Sequence, residues 1–211
     1  MMVGIKAWQQ QVPLPQAYVG SNAWQIPLKP KLADAPVSAR HALMRRAIAL
    51  AANGVPIFNA LNNRGDDTKK VGELDDFGGH SGRGDDYHYH AAPLALQKVL
   101  AKDQPIGMAL DGFALYGLFD PSAKPGADGA CPFGSKEKLD DFNGHFCTVP
   151  EGMGIDGGTR GYHYHSSNDY PYINGGMRGE VKVEDDQIVP QPRAQPVRQA
   201  LPPMKGATVT G

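Results

Sequence analysis

Aromatic and polar residues alternate through Tyr87-His88-Tyr89-His90, and the same four letters return at Tyr162-His163-Tyr164-His165. Successive side chains of a β-strand point to opposite faces, so each tetrapeptide reads as a strand with tyrosines on one face and histidines on the other. The remaining apolar runs are short and end at glycine. Arg46-Ala47-Ile48-Ala49-Leu50-Ala51-Ala52 aligns with Gln104-Pro105-Ile106-Gly107-Met108-Ala109-Leu110, and these segments lead into Asn53-Gly54 and Asp111-Gly112. Asn-Gly and Asp-Gly favour hairpin turns because both turn positions need positive φ. A β-hairpin is therefore expected over 46–59 and another over 105–117. The first run has a helical composition, but Pro105 and Gly107 in its counterpart suit a helix poorly. Apolar residues at positions 94, 96, 99 and 100 predict one amphipathic helix over 92–102. Asp169 to Gly176 reads as a strand running into a turn, and Val181-Lys182-Val183 as a short strand.

These blocks recur in one order. Asn53 to Phe58 matches Asp111 to Tyr116, and Leu74-Asp75-Asp76-Phe77-Gly78-Gly79-His80 matches Leu139-Asp140-Asp141-Phe142-Asn143-Gly144-His145. A repeat of this kind decides architecture before local propensity does. The expected fold is mainly β, with long loops and one or two short helices. Its internally duplicated hairpin-plus-strand units would be related by a pseudo-two-fold axis. Residues 1–36, rich in proline, read as an extended arm anchored by Trp8 and Trp24. Residues 37–185 read as one domain, with halves at about 46–90 and 105–180. The proline-rich stretch 186–211 reads as a mobile tail or a strap.

Composition narrows the function. The chain has 211 residues, 41% hydrophobic and 20% charged, which suits one well-buried core. A net charge of −1 without a Lys/Arg cluster argues against a nucleic-acid or anionic-membrane partner. No apolar run reaches the ~18 residues of a membrane helix. The first residues lack the charged, apolar and small-residue regions of a signal peptide, which fits an intracellular chain or one without its leader. Cys131 and Cys147 bracket a loop of the second half, and a disulfide between them would restrain it.

Six of the seven histidines fall inside the repeated blocks. Neutral imidazole binds transition metals, and two histidines one residue apart with a third upstream make a common three-ligand site. His80, His88 and His90 form one such set, and His145, His163 and His165 the other. Each half could hold its own ion, or the two strands could face each other and build one joint site. Zinc or copper is the expected ion. Asp75, Asp76, Asp140 and Asp141 are the candidate catalytic carboxylates, as ligands, as acceptors for ligand N–H groups or as general bases. Capping of a turn ahead of glycine is the alternative role for them. Asp85, Asp86, Arg83, Arg160 and Arg178 are weaker candidates.

The second half carries Ala109-Leu110-Asp111-Gly112-Phe113-Ala114-Leu115-Tyr116-Gly117, Leu139 to His145, Tyr162 to His165, Tyr170-Pro171-Tyr172-Ile173 and Met177-Arg178-Gly179. In these motifs and their order it resembles the YHYH-domain family, over roughly residues 46–180 with both halves counted. The resemblance implies an exported (periplasmic or secreted), metal-binding, β-rich domain, and no particular activity. The chain departs from the pattern at Phe142 and Gly176, where cysteines are usual, so Cys131 and Cys147 would replace the family's disulfide. The leading expectation is a metal-dependent enzyme with an open histidine-ligated site that hydrolyses a small-molecule or polymer substrate through metal-activated water. A copper-dependent oxidative enzyme and a non-catalytic metal-binding module are the alternatives. The oligomeric state is left open.

Overall fold

The computed structural model describes residues 3–7, 18–82, 87–100, 104–118, 138–148, 160–192 and 195–196. In chain order its elements are β1 (Tyr18–Val19), β2 (Leu32–Ser38), β3 (Ala47–Ala51), β4 (Pro56–Phe58), β5 (Gly79–Ser81), β6 (Tyr87–Tyr89), the helix α1 (Leu94–Val99), β7 (Gly107–Ala109) and β8 (Ala114–Leu118). They continue with β9 (Gly144–Thr148), β10 (Arg160–Ser166), β11 (Gly176–Gly179), β12 (Lys182–Glu184), β13 (Gln187–Val189) and β14 (Gln195–Pro196). The fold is mainly β, as the alternation and turn residues require.

Eight strands form the central sheet in the order β5-β6-β4-β3-β7-β8-β10-β9. Read from either end, the order passes through equivalent elements. Both expected hairpins are present, β3–β4 around Asn53-Gly54 and β7–β8 around Asp111-Gly112. Gly54 and Gly112 have φ of 82° and 91°, the left-handed backbone that excluded a helix there. The two hairpins join where β3 pairs antiparallel with β7, with Leu50 opposite Met108. These two residues are each other's counterpart in the sequence repeat. A residue paired with its own counterpart marks a local two-fold axis perpendicular to the sheet. Outward from that axis the pairings match: Ile57 lies opposite Tyr89 in one half and Leu115 opposite Tyr164 in the other. His80 lies opposite His88, and His145 opposite His163.

Directly paired residues share a sheet face. Tyr89, Ile57, Ala49, Ala109, Leu115 and Tyr164 are connected through such pairs or flank one another across a strand, and all lie in the buried core. Burying these side chains is the main stabilising contribution of this face. Ile173 and Met177 close the same core, together with partly buried Trp24 and Leu32. The histidines alternate with the tyrosines and so occupy the opposite face. An axis perpendicular to the sheet maps a face onto itself, which leaves both histidine groups on one side of it.

Several limits shift. Among the described residues of the expected helix over 92–102, the helix is the six residues of α1. Pro93 precedes it without a side-chain cap, and Leu100 is already extended. Asp169 to Gly175 is not a strand, because its polar groups bond elsewhere. Asn143 donates to the carbonyl of Ile173, Gly175 donates to the carbonyl of Phe142, and the Tyr172 hydroxyl donates to Asp67. The strand begins at Gly176 as β11 and pairs with β2, so the boundary at residue 36 falls inside a strand. The boundary at 185 falls inside the β12–β13 hairpin. Beyond it, the Gln191 side chain exchanges two hydrogen bonds with the backbone of Ala47, strapping this segment to β3. Trp8 and Cys131 lie outside the described residues; Cys147, on β9, is disulfide-bonded.

Ile57 is fully buried in β4, between β3 and β6. Replacing Ile57 by Ala is expected to lower unfolding stability by about 2–4 kcal/mol. Urea denaturation measures this as a lower midpoint at unchanged slope.

Candidate metal centres

Each histidine triad is built from one edge hairpin of the sheet. β5 supplies His80 and β6 leads through His88 to His90; β9 supplies His145 and β10 supplies His163 and His165. The cross-strand pairs His80–His88 and His145–His163 bring two rings together. The period of two along the strand adds the third on the same face. The potential ligand atoms within each triad all lie within 4.8 Å of one another. The structure therefore places one triad in each half, the first of the two arrangements open from the sequence.

Main-chain carbonyls set the ring orientations. His90 donates from Nδ1 to the carbonyl of Asn59 at 2.5 Å, and His165 donates from Nδ1 to the carbonyl of Gly117 at 3.2 Å. Asn59 and Gly117 are counterparts, one residue beyond Phe58 and Tyr116. His80 likewise donates from Nδ1 to the carbonyl of Glu73 at 2.9 Å. A neutral imidazole has one proton, so a proton on Nδ1 leaves a lone pair on Nε2. The Nε2 atoms of His80 and His90 lie 3.2 Å apart, each turned toward the other ring. In the second triad the Nε2 atoms of His145, His163 and His165 meet pairwise at 2.9, 3.1 and 3.1 Å. Three nitrogens this close form a convergent donor set that could hold a cation. Imidazole nitrogens around tetrahedral zinc, at roughly 2.0–2.1 Å from the ion, stand ~3.3 Å apart, close to these separations.

The rings of His90 and His165 are kept neutral. Burial lowers the pKa of His90 to about 3, reinforced by the charges of His88 and His80. Burial lowers that of His165 to about 3 as well, with His145 adding to the effect. Aromatic residues at equivalent positions flank the triads: Phe58 stacks on His88 at 4.2 Å between ring centroids, and Tyr116 meets His163 edge-on at 5.2 Å.

The candidate carboxylates go elsewhere. Asp75 Oδ1 accepts from the backbone N–H groups of Phe77 and Gly79, and both its oxygens accept from the Tyr87 hydroxyl. Asp140 repeats this with Phe142, Gly144 and Tyr162. They cap the turn ahead of glycine and fasten it to the tyrosine of the next strand. Asp76 and Asp141 are exposed in the same turns. Among the described residues the groups able to hold a metal contain histidines alone. The carboxylate-to-histidine role expected of these aspartates is taken by the carbonyls of Glu73, Asn59 and Gly117, which residue types do not reveal. Gly78, with φ of 90°, and Asn143, with φ of 59°, turn the chain so that their carbonyls accept from the N–H groups of His90 and His165. Asparagine replaces glycine there because it tolerates left-handed backbone.

The centres differ modestly in exposure. His145, His163 and His165 are 3%, 5% and 0% exposed. His88 and His90 are 8% and 5% exposed and His80 is partly buried, and these three line a pocket of about 400 Å³ with Phe58, Asn62, Arg64 and Glu73. Sequence reasoning passed over Arg64 and Glu73. The available signal was asymmetry, since Glu73 immediately precedes the repeated Leu-Asp-Asp block where the second half has Lys138. Of the weaker candidates, Arg178 donates to the carbonyl of Ala33. The backbone of Arg160 lies in β10, and Arg83, Asp85 and Asp86 are outside the described residues.

In the metal-free protein the unfolded chain, with imidazole pKa near 6.5, binds protons that buried His90 and His165 refuse down to about 3. Stability is therefore complete above about pH 6.5 and is lost as pH falls toward 3, at up to about 1.4 kcal/mol per pH unit for each histidine. Thermal unfolding in chelator at pH 7.5 and pH 5 is expected to show the lower midpoint at pH 5.

No helix among the described residues is long and apolar enough to cross a membrane. No curated protein and no solved structure shows significant similarity to the chain. The family model described as YHYH protein matches residues 23–132, just over half of the chain, and spans the first tetrapeptide and both central hairpins. By that match, and with its signature tetrapeptide placed at the heart of a histidine triad, the chain belongs to the YHYH protein family.

Proposed function

We propose that both triads bind a divalent transition-metal ion and that the first is the centre of a hydrolase. The observation that carries this reading is the convergence of three imidazoles, the Nδ1 atoms of His80 and His90 tied to backbone carbonyls, beside an open pocket. Three protein ligands with a free coordination position distinguish catalytic from closed zinc sites. A divalent ion there would lower the pKa of a bound water and polarise a substrate oxygen. The chain's own contribution is orientation. The carbonyls of Glu73 and Asn59 hold two ligand rings, and Phe58 stacks on the third and excludes water from its flank. Zinc suits an all-imidazole set and a hydrolytic reaction; copper in the same ligands would instead support oxidative chemistry.

A different reading holds for the second triad. Its near-complete burial supports a closed, structural metal centre that fastens the β9–β10 hairpin. The disulfide at Cys147 supports an oxidising compartment, periplasmic or extracellular, for the mature protein.

Elemental analysis after zinc loading is expected to find two ions per wild-type chain and one in each of His88→Ala and His163→Ala. Hydrolysis of an activated ester should fall to background in His88→Ala and persist in His163→Ala. Unchanged metal content in both variants would reject the ligand assignment.

A further inference from the structure

Glu73 acts at both its ends. Its backbone carbonyl accepts from Nδ1 of His80, while its nearly buried carboxylate receives the Arg64 guanidinium and the Asn62 side-chain amide. A second carboxylate, Asp66, accepts from Arg64 Nε at 3.1 Å. The guanidinium is thus held from two sides in the wall of the pocket that the first triad lines, yet its side chain remains 61% exposed. One residue fixes the relation between a metal ligand and a cation.

Charge indicates what such a pocket takes. Three neutral imidazoles leave a divalent ion with its full double charge, while Glu73 and Asp66 together more than offset Arg64. A loaded pocket is therefore strongly cationic at one end. At its other end stands the Arg64 guanidinium, which has five N–H donors and so further ones than the two given to Asp66 and Glu73, and these suit carboxylate and phosphate oxygens. At the position of Glu73 the second half carries Lys138.

We infer that the first centre takes an oxyanionic substrate, a phosphoryl or carboxylate group bound between the triad's ion and Arg64, with Glu73 as the residue that positions Arg64. This rests on the proposed metal binding at the first triad and adds the class of ligand to it. Met44, Phe58 and Leu61 line the same pocket and leave room for an apolar group attached to the anion.

The test is calorimetric binding of inorganic phosphate, and separately of acetate, to zinc-loaded protein freed of excess metal. Wild type is compared with Arg64→Ala, Arg64→Lys and Glu73→Gln, each with zinc content and melting temperature measured on the same sample. The expected result is full zinc content in all four, with phosphate affinity at least about tenfold weaker in Arg64→Ala. Arg64→Lys, which keeps the charge and loses the fork, should fall between. Tighter binding of phosphate than of acetate assigns the phosphoryl group; the reverse assigns the carboxylate. Equal affinity of wild type and Arg64→Ala at full zinc content would overturn this inference and leave the metal reading standing. Absence of zinc from wild type would overturn both.

Discussion

Everything at the two centres depends on a hydrogen bond that contains no metal ligand atom: an imidazole Nδ1 donating to a main-chain carbonyl. At His80, His90 and His165 that bond puts the proton on one side of the ring and aims the lone pair at the other rings. Strand alternation brings the histidines to one face, but it does not choose a tautomer. The carbonyls choose it, and they are themselves fixed by β4, β8 and the turn preceding β5. The geometry of the fold and the chemistry of the site are therefore one set of constraints. A strand that slipped by one residue would exchange tyrosines for histidines in the core and remove both.

The halves are built alike and then made unlike. Equivalent residues form the central pairing, the two hairpins, the aspartate-capped turns and the carbonyl-to-histidine bonds. The differences lie at the rims. β9 and β10 have five and seven residues where β5 and β6 have three each. Lys138 replaces Glu73. Asn53 donates to the Tyr89 hydroxyl, whereas Asp111 accepts from Tyr164 at 2.5 Å and is wholly buried. Burial pushes the Asp111 pKa up, while the Tyr164 hydroxyl and the N–H groups of Gly179 and Phe113 oppose that shift. Asp111 thus anchors β10 through a buried hydrogen bond where Asn53 makes only a part-buried one.

Much of this was legible in the letters. The repeat fixed the hairpins against a helical composition, because Pro105 and Gly107 exclude at one copy what Ala47 to Ala52 would allow at the other. The His-x-His alternation identified both triads by residue. What escaped has physical reasons. The carbonyls of Asn59, Gly117 and Glu73 carry no side-chain signature. Asp75 and Asp140 have the chemistry of ligands, but their oxygens are consumed by the turn and by a tyrosine. Arg64 and Glu73 act through contacts that span nine residues of loop, where no periodicity guides a reader. The strand expected at Asp169 to Gly175 has suitable aromatic residues, yet its polar groups are claimed by side chains and loops.

The order of strands has a further implication. Four strands separate β6 from β10, and at roughly 4.8 Å per interval the triads stand on the order of 24 Å apart. That span is more than twice the distance over which charges in physiological salt sense one another. Filling one centre would leave the affinity of the other untouched, and bridging chemistry between two ions is geometrically barred. The two triads are separate clusters on a shared plank, and any ion held by one would lie beyond the reach of ligands held by the other.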